Sequence, residues 1–230
     1  VRLRHPHGPS EPAAAIRLWE ADVVTPVPLP EWLAGSGAPI RYGCTDSAWP
    51  IDAYQTVFAH PGRLDPGLGS AEMPSAARPF TPELVSALVA AGVVLAPIAL
   101  HTGVSSPESH EPPYAERYRV PATTARLVNE AHRAGHRVVA VGTTATRALE
   151  TDARRGRSRP GEGWTELVIT PQRGLEVVDG IISGWHEPEA SHLHLMQAVA
   201  GRSLLESSYA AALDGRYRWH EFGDLHLVLP

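Results

Sequence analysis

The stretch from Val138 to Glu150 carries the residue types that would hold a charged small molecule. Val138-Val139-Ala140-Val141 reads as a buried strand, Gly142 turns the chain, and Thr143 and Thr144 open a helix that runs on through Arg147 and Glu150. Open α/β sheets bind ligands at the carboxyl edge of their strands. The first N–H groups of a helix favour a carboxylate or phosphate, and an arginine can grip one with two parallel hydrogen bonds. A plainer reading of the same residues makes Thr143 and Thr144 helix caps and Arg147–Glu150 a surface pair one turn apart. Both place the cluster at a strand's carboxyl end.

Other reactive residue types are sparse. The single cysteine, Cys44, cannot close an internal disulfide and points to a reducing compartment. No histidine lies near it in sequence, so a nucleophilic role is not expected. His192 and His194 are two apart on an expected helix, which directs their rings away from each other, unlike the four-residue spacing of a zinc helix. No metal site is expected, and His5 and His7 near the start are taken as incidental.

Net charge is −5 with twelve histidines counted as neutral. Nucleic-acid binders usually present a basic face. The one basic cluster in the sequence, Arg154, Arg155, Arg157 and Arg159, reads either as a solvated loop or as an RNA-backbone contact. With 43% hydrophobic and 20% charged residues the composition is that of a soluble globular protein. The longest apolar stretch, Val93 to Leu100, is broken by Pro97 and is too short to span a bilayer. The first residues hold no signal-peptide core, so a cytoplasmic location is expected.

The elements that must position these residues follow from the apolar pattern. Residues 1–40 are proline-rich, with strand-like pieces at Ala15–Glu20 and Asp22–Thr25, and form a partial, barrel-like β segment. Residues 41–230 are expected to form an α/β core. Thr81-Pro82-Glu83 is a helix start and Gly92 its stop, with Val93–Ala96 as a buried strand to follow. A second helix runs from near Pro121 to Gly135, then the strand before Gly142. Further strands are expected at Glu166–Ile169, Glu176–Val178 and Gly223–Leu229, with helices at His192–Ala200 and Leu204–Leu213. Helix, glycine and apolar strand in succession predict a layered α/β core with a largely parallel sheet.

Several short motifs, in one order, resemble those of the S-adenosylmethionine:tRNA ribosyltransferase-isomerase family of queuosine biosynthesis. Val141 to Glu150 is similar to its Val-Gly-Thr-Thr-x-x-Arg-x-Leu-Glu hallmark, and Tyr54-Gln55-Thr56-Val57-Phe58 to its Tyr-Gln-Thr-Val-Tyr. Pro74-Ser75-Ala76-Ala77, with Phe80-Thr81, resembles Pro-Thr-Ala-Gly-Leu-His-Phe-Thr. Leu100-His101-Thr102-Gly103, Val177-Val178-Asp179, His186-Glu187-Pro188-Glu189 and Phe222-Gly223-Asp224 continue the series. The resemblance covers roughly Leu29 to Leu229. It implies an α/β core with an inserted β-barrel domain, of which this sequence holds at most part.

The same resemblance implies transfer and isomerisation of the ribosyl group of S-adenosylmethionine onto the aminomethyl-deazaguanine base of a tRNA, with release of adenine and methionine. S-adenosylmethionine is then a substrate, and neither metal nor other cofactor is required. The sulfonium acidifies the ribose 5′ carbon, so a base must remove a proton there and an acid must assist adenine's departure. By residue type His101, His186 and Asp224 are the catalytic candidates, with the two histidines expected to converge on one cleft. Thr143, Thr144, Arg147, Glu150, Asp179, Glu189, Tyr54, Gln55 and Ser75 are the substrate-binding candidates, with Arg147 on the methionine carboxylate. Departures fall inside the motifs. Pro79 stands for the histidine of Leu-His-Phe, Val104-Ser105-Ser106-Pro107 follow Gly103, and Trp185 precedes His186. They leave open a paralogue with a non-tRNA acceptor, or a silent module that binds S-adenosylmethionine or tRNA.

Overall fold

The computed structural model describes residues 1–6, 19–40, 47, 49–59, 72–103, 113–186, 192–219 and 222–230. They fall into two compact units, Val1–Pro39 and Ile40–Pro230. In the first, strands β1 (Arg2–Pro6) and β2 (Trp19–Asp22) pair antiparallel, and helix α1 (Leu29–Ser36) buries none of its residues. This two-stranded sheet does not close into a barrel.

In the second unit the expected helix starts and stops are found. Helix α2 (Pro82–Ala90) is capped by Thr81, whose hydroxyl accepts the Leu84 N–H at 3.1 Å. Beyond it the N–H groups of Gly92 and Val93 return to the carbonyls of Val89 and Leu88, a Schellman closure. Helix α3 (Ala122–Arg133) closes in the same way on His132 and Ala131. Helices α5 (His192–Ala200) and α6 (Arg202–Asp214) lie where the sequence reading placed them.

The sheets differ from the largely parallel one expected. Strands β3 (Ala99–His101), β4 (Glu116–Val120) and β6 (Gly161–Thr165) form one sheet, antiparallel throughout. Strands β5 (Val139–Val141), β7 (Gly180–Gly184) and β8 (Leu225–Val228) form another, in which only β5–β7 is parallel. Val93–Ala96 is not a strand: the Val93 N–H is spent on the helix closure, and Val93 and Val94 are 45% and 67% exposed.

Helix α4 (Thr143–Thr151) touches strands of both sheets and has six consecutive buried residues, Ala145 to Glu150. The polar members of that run therefore face protein, not water. Two core clusters flank it. One gathers Tyr118, Val120, Ala125, Val128, Ala140 and Ala148. The other joins Ile181 and Val228 to Leu195, Met196 and Val199 of α5.

Candidate functional site

Gly142 sits between β5 and α4 with φ 95°, a backbone conformation that favours glycine, and its N–H donates to the Ile182 carbonyl of β7 at 2.8 Å. The parallel β5–β7 pair thus delivers the start of α4 to its carboxyl edge, where open α/β sheets bind ligands. The helix leaves its first N–H groups without partners of its own.

Several motif residues gather along this edge. The 3-10 turn Ser75–Ala77 reaches it: a Cβ added at Gly142 would lie 3.6 Å from the Ala76 methyl. His186 stands two residues past β7, its Nε2 2.9 Å from the Ser183 hydroxyl and its ring stacked 4.6 Å from His192. The His186 N–H donates to the Tyr209 hydroxyl at 3.2 Å. Burial raises the Tyr209 phenol, opposed by that bond. Asp224 precedes β8, whose Leu225 pairs with Gly184, so it shares the edge, and its carboxylate accepts the Arg218 N–H at 2.7 Å. Phe222 meets the buried Tyr54 edge-on at 5.0 Å, carries the Arg78 guanidinium at 4.8 Å and stacks on Trp49. Gln55 ends the 3-10 turn of Tyr54 and is exposed, its N–H bonded to Asp52.

The rest of α4 is engaged differently. Arg147 is 4% exposed. Its guanidinium meets Glu116 at 2.6 Å and donates to the carbonyls of Leu167, Tyr114 and Thr165 at 2.9–3.1 Å. The second oxygen of Glu116 accepts the Thr144 hydroxyl at 3.2 Å. Burial pushes the Glu116 carboxyl above the usual carboxylate range, and the neighbouring Arg147 charge only partly offsets this. Glu150 has no exposed surface, and its carboxylate accepts the N–H groups of Glu176, Val177 and Val178 at 2.8–3.0 Å, with Arg173 at 3.3 Å. Asp179 takes the Val138 N–H at 2.7 Å and His132 at 2.9 Å. It lies where β5 and β7 begin, the edge opposite Gly142.

These bonds correct two expected strands. The Glu176–Val178 amides are bound by Glu150, and the Leu167 carbonyl by Arg147, so neither 166–169 nor 176–178 pairs as a strand. They also show Arg147, Glu150 and Asp179, taken from the sequence as substrate ligands, holding the protein's own backbone. Arg147 and Glu150 do not form the surface pair of the plainer reading either.

His101 ends β3, opposite Arg117 of β4. Because Leu100 packs into the core, alternation turns His101 to the sheet face away from α4. His101 and His186 thus come from different sheets. Glu189 lies outside the described residues.

Sequence reasoning missed Glu116, Ser183 and Tyr209. A signal for the first existed: in Glu116-Arg117-Tyr118-Arg119-Val120 the alternation sets Glu116 in line with Tyr118 and Val120 on the buried face, and a buried acid calls for a cation. Among the described residues no group of three or more His, Cys, Asp or Glu could hold a metal ion, and no helix is long and apolar enough to cross a membrane.

The fold and its edge define a class of protein: a mixed α/β unit with a glycine-turned strand-to-helix junction beside hydroxyls, a histidine and a carboxylate. The chain belongs to the queuosine biosynthesis protein family, whose profile matches residues 15–228. It is 38% identical over 187 residues to the S-adenosylmethionine:tRNA ribosyltransferase-isomerase of Synechococcus elongatus, covering 78% of this chain and 50% of that protein. The enzyme of the same name from Natranaerobius thermophilus is 39% identical over 186 residues, covering 77% and 52%. The crystal structure of S-adenosylmethionine tRNA ribosyltransferase from Thermotoga maritima superposes with a TM-score of 0.58 at 39% identity, over 67% of this chain and 51% of that one. This chain spans about half the length of the curated relatives it matches.

Proposed function

We propose that this chain carries the α/β part of a cytoplasmic enzyme that transfers and isomerises the ribosyl group of S-adenosylmethionine onto the aminomethyl-deazaguanine base of a tRNA, releasing adenine and methionine. Residues 41–230 are then the catalytic core and residues 1–40 part of its β-rich domain. The supporting observation is the single edge at which Gly142, Thr143, Thr144, Ser75, His186 and Asp224 lie.

S-adenosylmethionine sits against the start of α4 in this reading. The amides and hydroxyls of Thr143 and Thr144 receive its methionine carboxylate, favoured by the helix's positive end. Ser75 and Gln55 add polar contacts, and Tyr54 supplies an aromatic wall through Phe222. Asp224 holds the ribose hydroxyls or the sulfonium, and Glu189 is kept for the acceptor amine. His186, its ring set by Ser183, moves the proton at the ribose 5′ carbon or at adenine. His101 approaches from the acceptor side. Arg147, Glu150 and Asp179 support the edge without touching substrate. No metal or other cofactor has a part in these steps.

Incubating the chain with S-adenosylmethionine and precursor tRNA tests this, read as free adenine and by nucleoside mass. The His186→Asn variant should release adenine about 10²–10⁴-fold more slowly, the usual size of an acid–base contribution, with an unchanged melting point. Wild-type turnover by that variant would remove His186 from the chemistry. Absence of adenine release by the parent chain would refute the assignment.

A further inference from the structure

We infer that the face of the β3–β4–β6 sheet turned away from α4 is an RNA-docking surface that takes an unpaired loop of the tRNA. This rests on the reading of the chain as a tRNA-modifying enzyme and assigns a place to the acceptor, which the edge described above does not do.

The argument starts from register. Arg117 is the Cα partner of His101 on one side and of Trp164 on the other. Residues directly opposite one another in an antiparallel sheet project from the same face, about 4.5–5.5 Å apart. His101, Arg117 and Trp164 therefore form one row across three strands. The next row is Ala99, Arg119 and Glu162. Glu116, Tyr118 and Val120 alternate with the arginines and are buried toward α4, which fixes the arginines on the outer face. Trp164 is 56% exposed.

A large indole more than half exposed on a sheet, in line with Arg117 and diagonal to Arg119, suits a splayed-out base and its phosphates. Base–aromatic stacking accepts any base, and arginines supply the charge. Glu162, the one acid in the two rows, is engaged by Arg119 at 3.4 Å. The row also leads inward. His101 is followed by Thr102 and Gly103, whose backbone reaches Glu116, and Glu116 receives the Thr144 hydroxyl at the start of α4. A loop lying on Trp164 and Arg117 would bring its neighbouring nucleotide toward that edge. A flat protein partner is the other occupant such a face suits, but basic side chains around one aromatic match a polyanion better.

The test is titration of the 230-residue chain with a fluorescent RNA stem-loop of the tRNA anticodon arm, at several salt concentrations, with S-adenosylmethionine affinity and melting point measured beside it. Trp164→Ala should weaken RNA binding about 5- to 150-fold, the loss of one stacked base, while Trp164→Phe retains most of it. Arg117→Gln should lower the slope of log affinity against log salt by about 0.7, one phosphate contact on a single strand. Both variants should keep S-adenosylmethionine affinity and melting point. RNA affinity within twofold of the parent in both variants would overturn the surface while leaving the enzyme reading intact. Equal binding of the same arm with its loop closed into duplex would overturn the single-strand assignment. A parent chain that binds S-adenosylmethionine but no RNA would overturn both the surface and the tRNA acceptor.

Discussion

The two ends of helix α4 do opposite work although one motif spans them. At the first turn Thr143 and Thr144 lie at an open sheet edge, half-buried and beside the residues proposed to hold substrate. Further along, Arg147 and Glu150 are buried and bonded to backbone from other parts of the chain. Both halves are rich in polar groups. What separates them is where the helix sits: its start projects from a sheet edge, while its body lies between two sheets. Buried there, a guanidinium and a carboxylate do what strand neighbours do elsewhere, satisfying amides and carbonyls of the surrounding backbone.

The strongest challenge to this contrast is Arg147→Ala. It strips three carbonyls of a donor and leaves Glu116 buried without its cation, a change expected to cost about 3–5 kcal/mol of stability, measured by chemical denaturation. Unchanged stability with weakened S-adenosylmethionine binding would move Arg147 to the substrate half. Glu150→Gln comes next. The amide must turn an NH₂ toward the Glu176 N–H and Arg173 or toward the amides of Val177 and Val178, a loss of about 1–3 kcal/mol. A urea midpoint equal to the parent's would show that Glu150 does not hold this segment. Thr144→Val bears on the other half. It removes a hydrogen bond to Glu116, about 0.5–1.5 kcal/mol, and calorimetry should find S-adenosylmethionine affinity reduced by more than the stability. Affinity held at the parent value would take Thr144 out of the site.

The smallest effect at neutral pH is expected for His226→Phe, and its pH dependence sharpens the picture of the region behind His186. The ring of His226 of β8 lies 4.1 Å from that of Trp185, tilted 36° to it, and neither of its buried ring nitrogens meets a hydrogen-bond partner among the described residues. Burial lowers its pKa to about 4 from an ordinary 6.5. The folded chain therefore holds the ring neutral, and its contribution is complete above about pH 6.5 and lost as pH falls toward 4. Urea midpoints at pH 7 and pH 4.5 should draw apart less in the variant than in the parent. An equal fall in both would mean that His226 does not titrate as described.

Much of the architecture was legible in the sequence because its causes are local. The Thr81 cap, the glycine stops at Gly92 and Gly135, and the strand–glycine–helix junction at Gly142 each depend on a few adjacent residues. The strands were read less well. Val93–Ala96, Glu166–Ile169 and Glu176–Val178 are apolar enough for strands, but a strand needs a neighbour, and here helix ends and buried side chains claim their backbone instead. The site divides along the same line. The sequence by itself determined the family motifs, the order of the edge residues and the turn that delivers Thr143 and Thr144. Only the tertiary structure decided that Arg147 and Glu150 face inward, that Asp179 sits at the opposite edge, and that Glu116 is the partner of Arg147. Local conformation sets where a helix begins. Burial, which depends on everything packed around it, sets whether a charged side chain on that helix meets solvent or is bound by the protein itself.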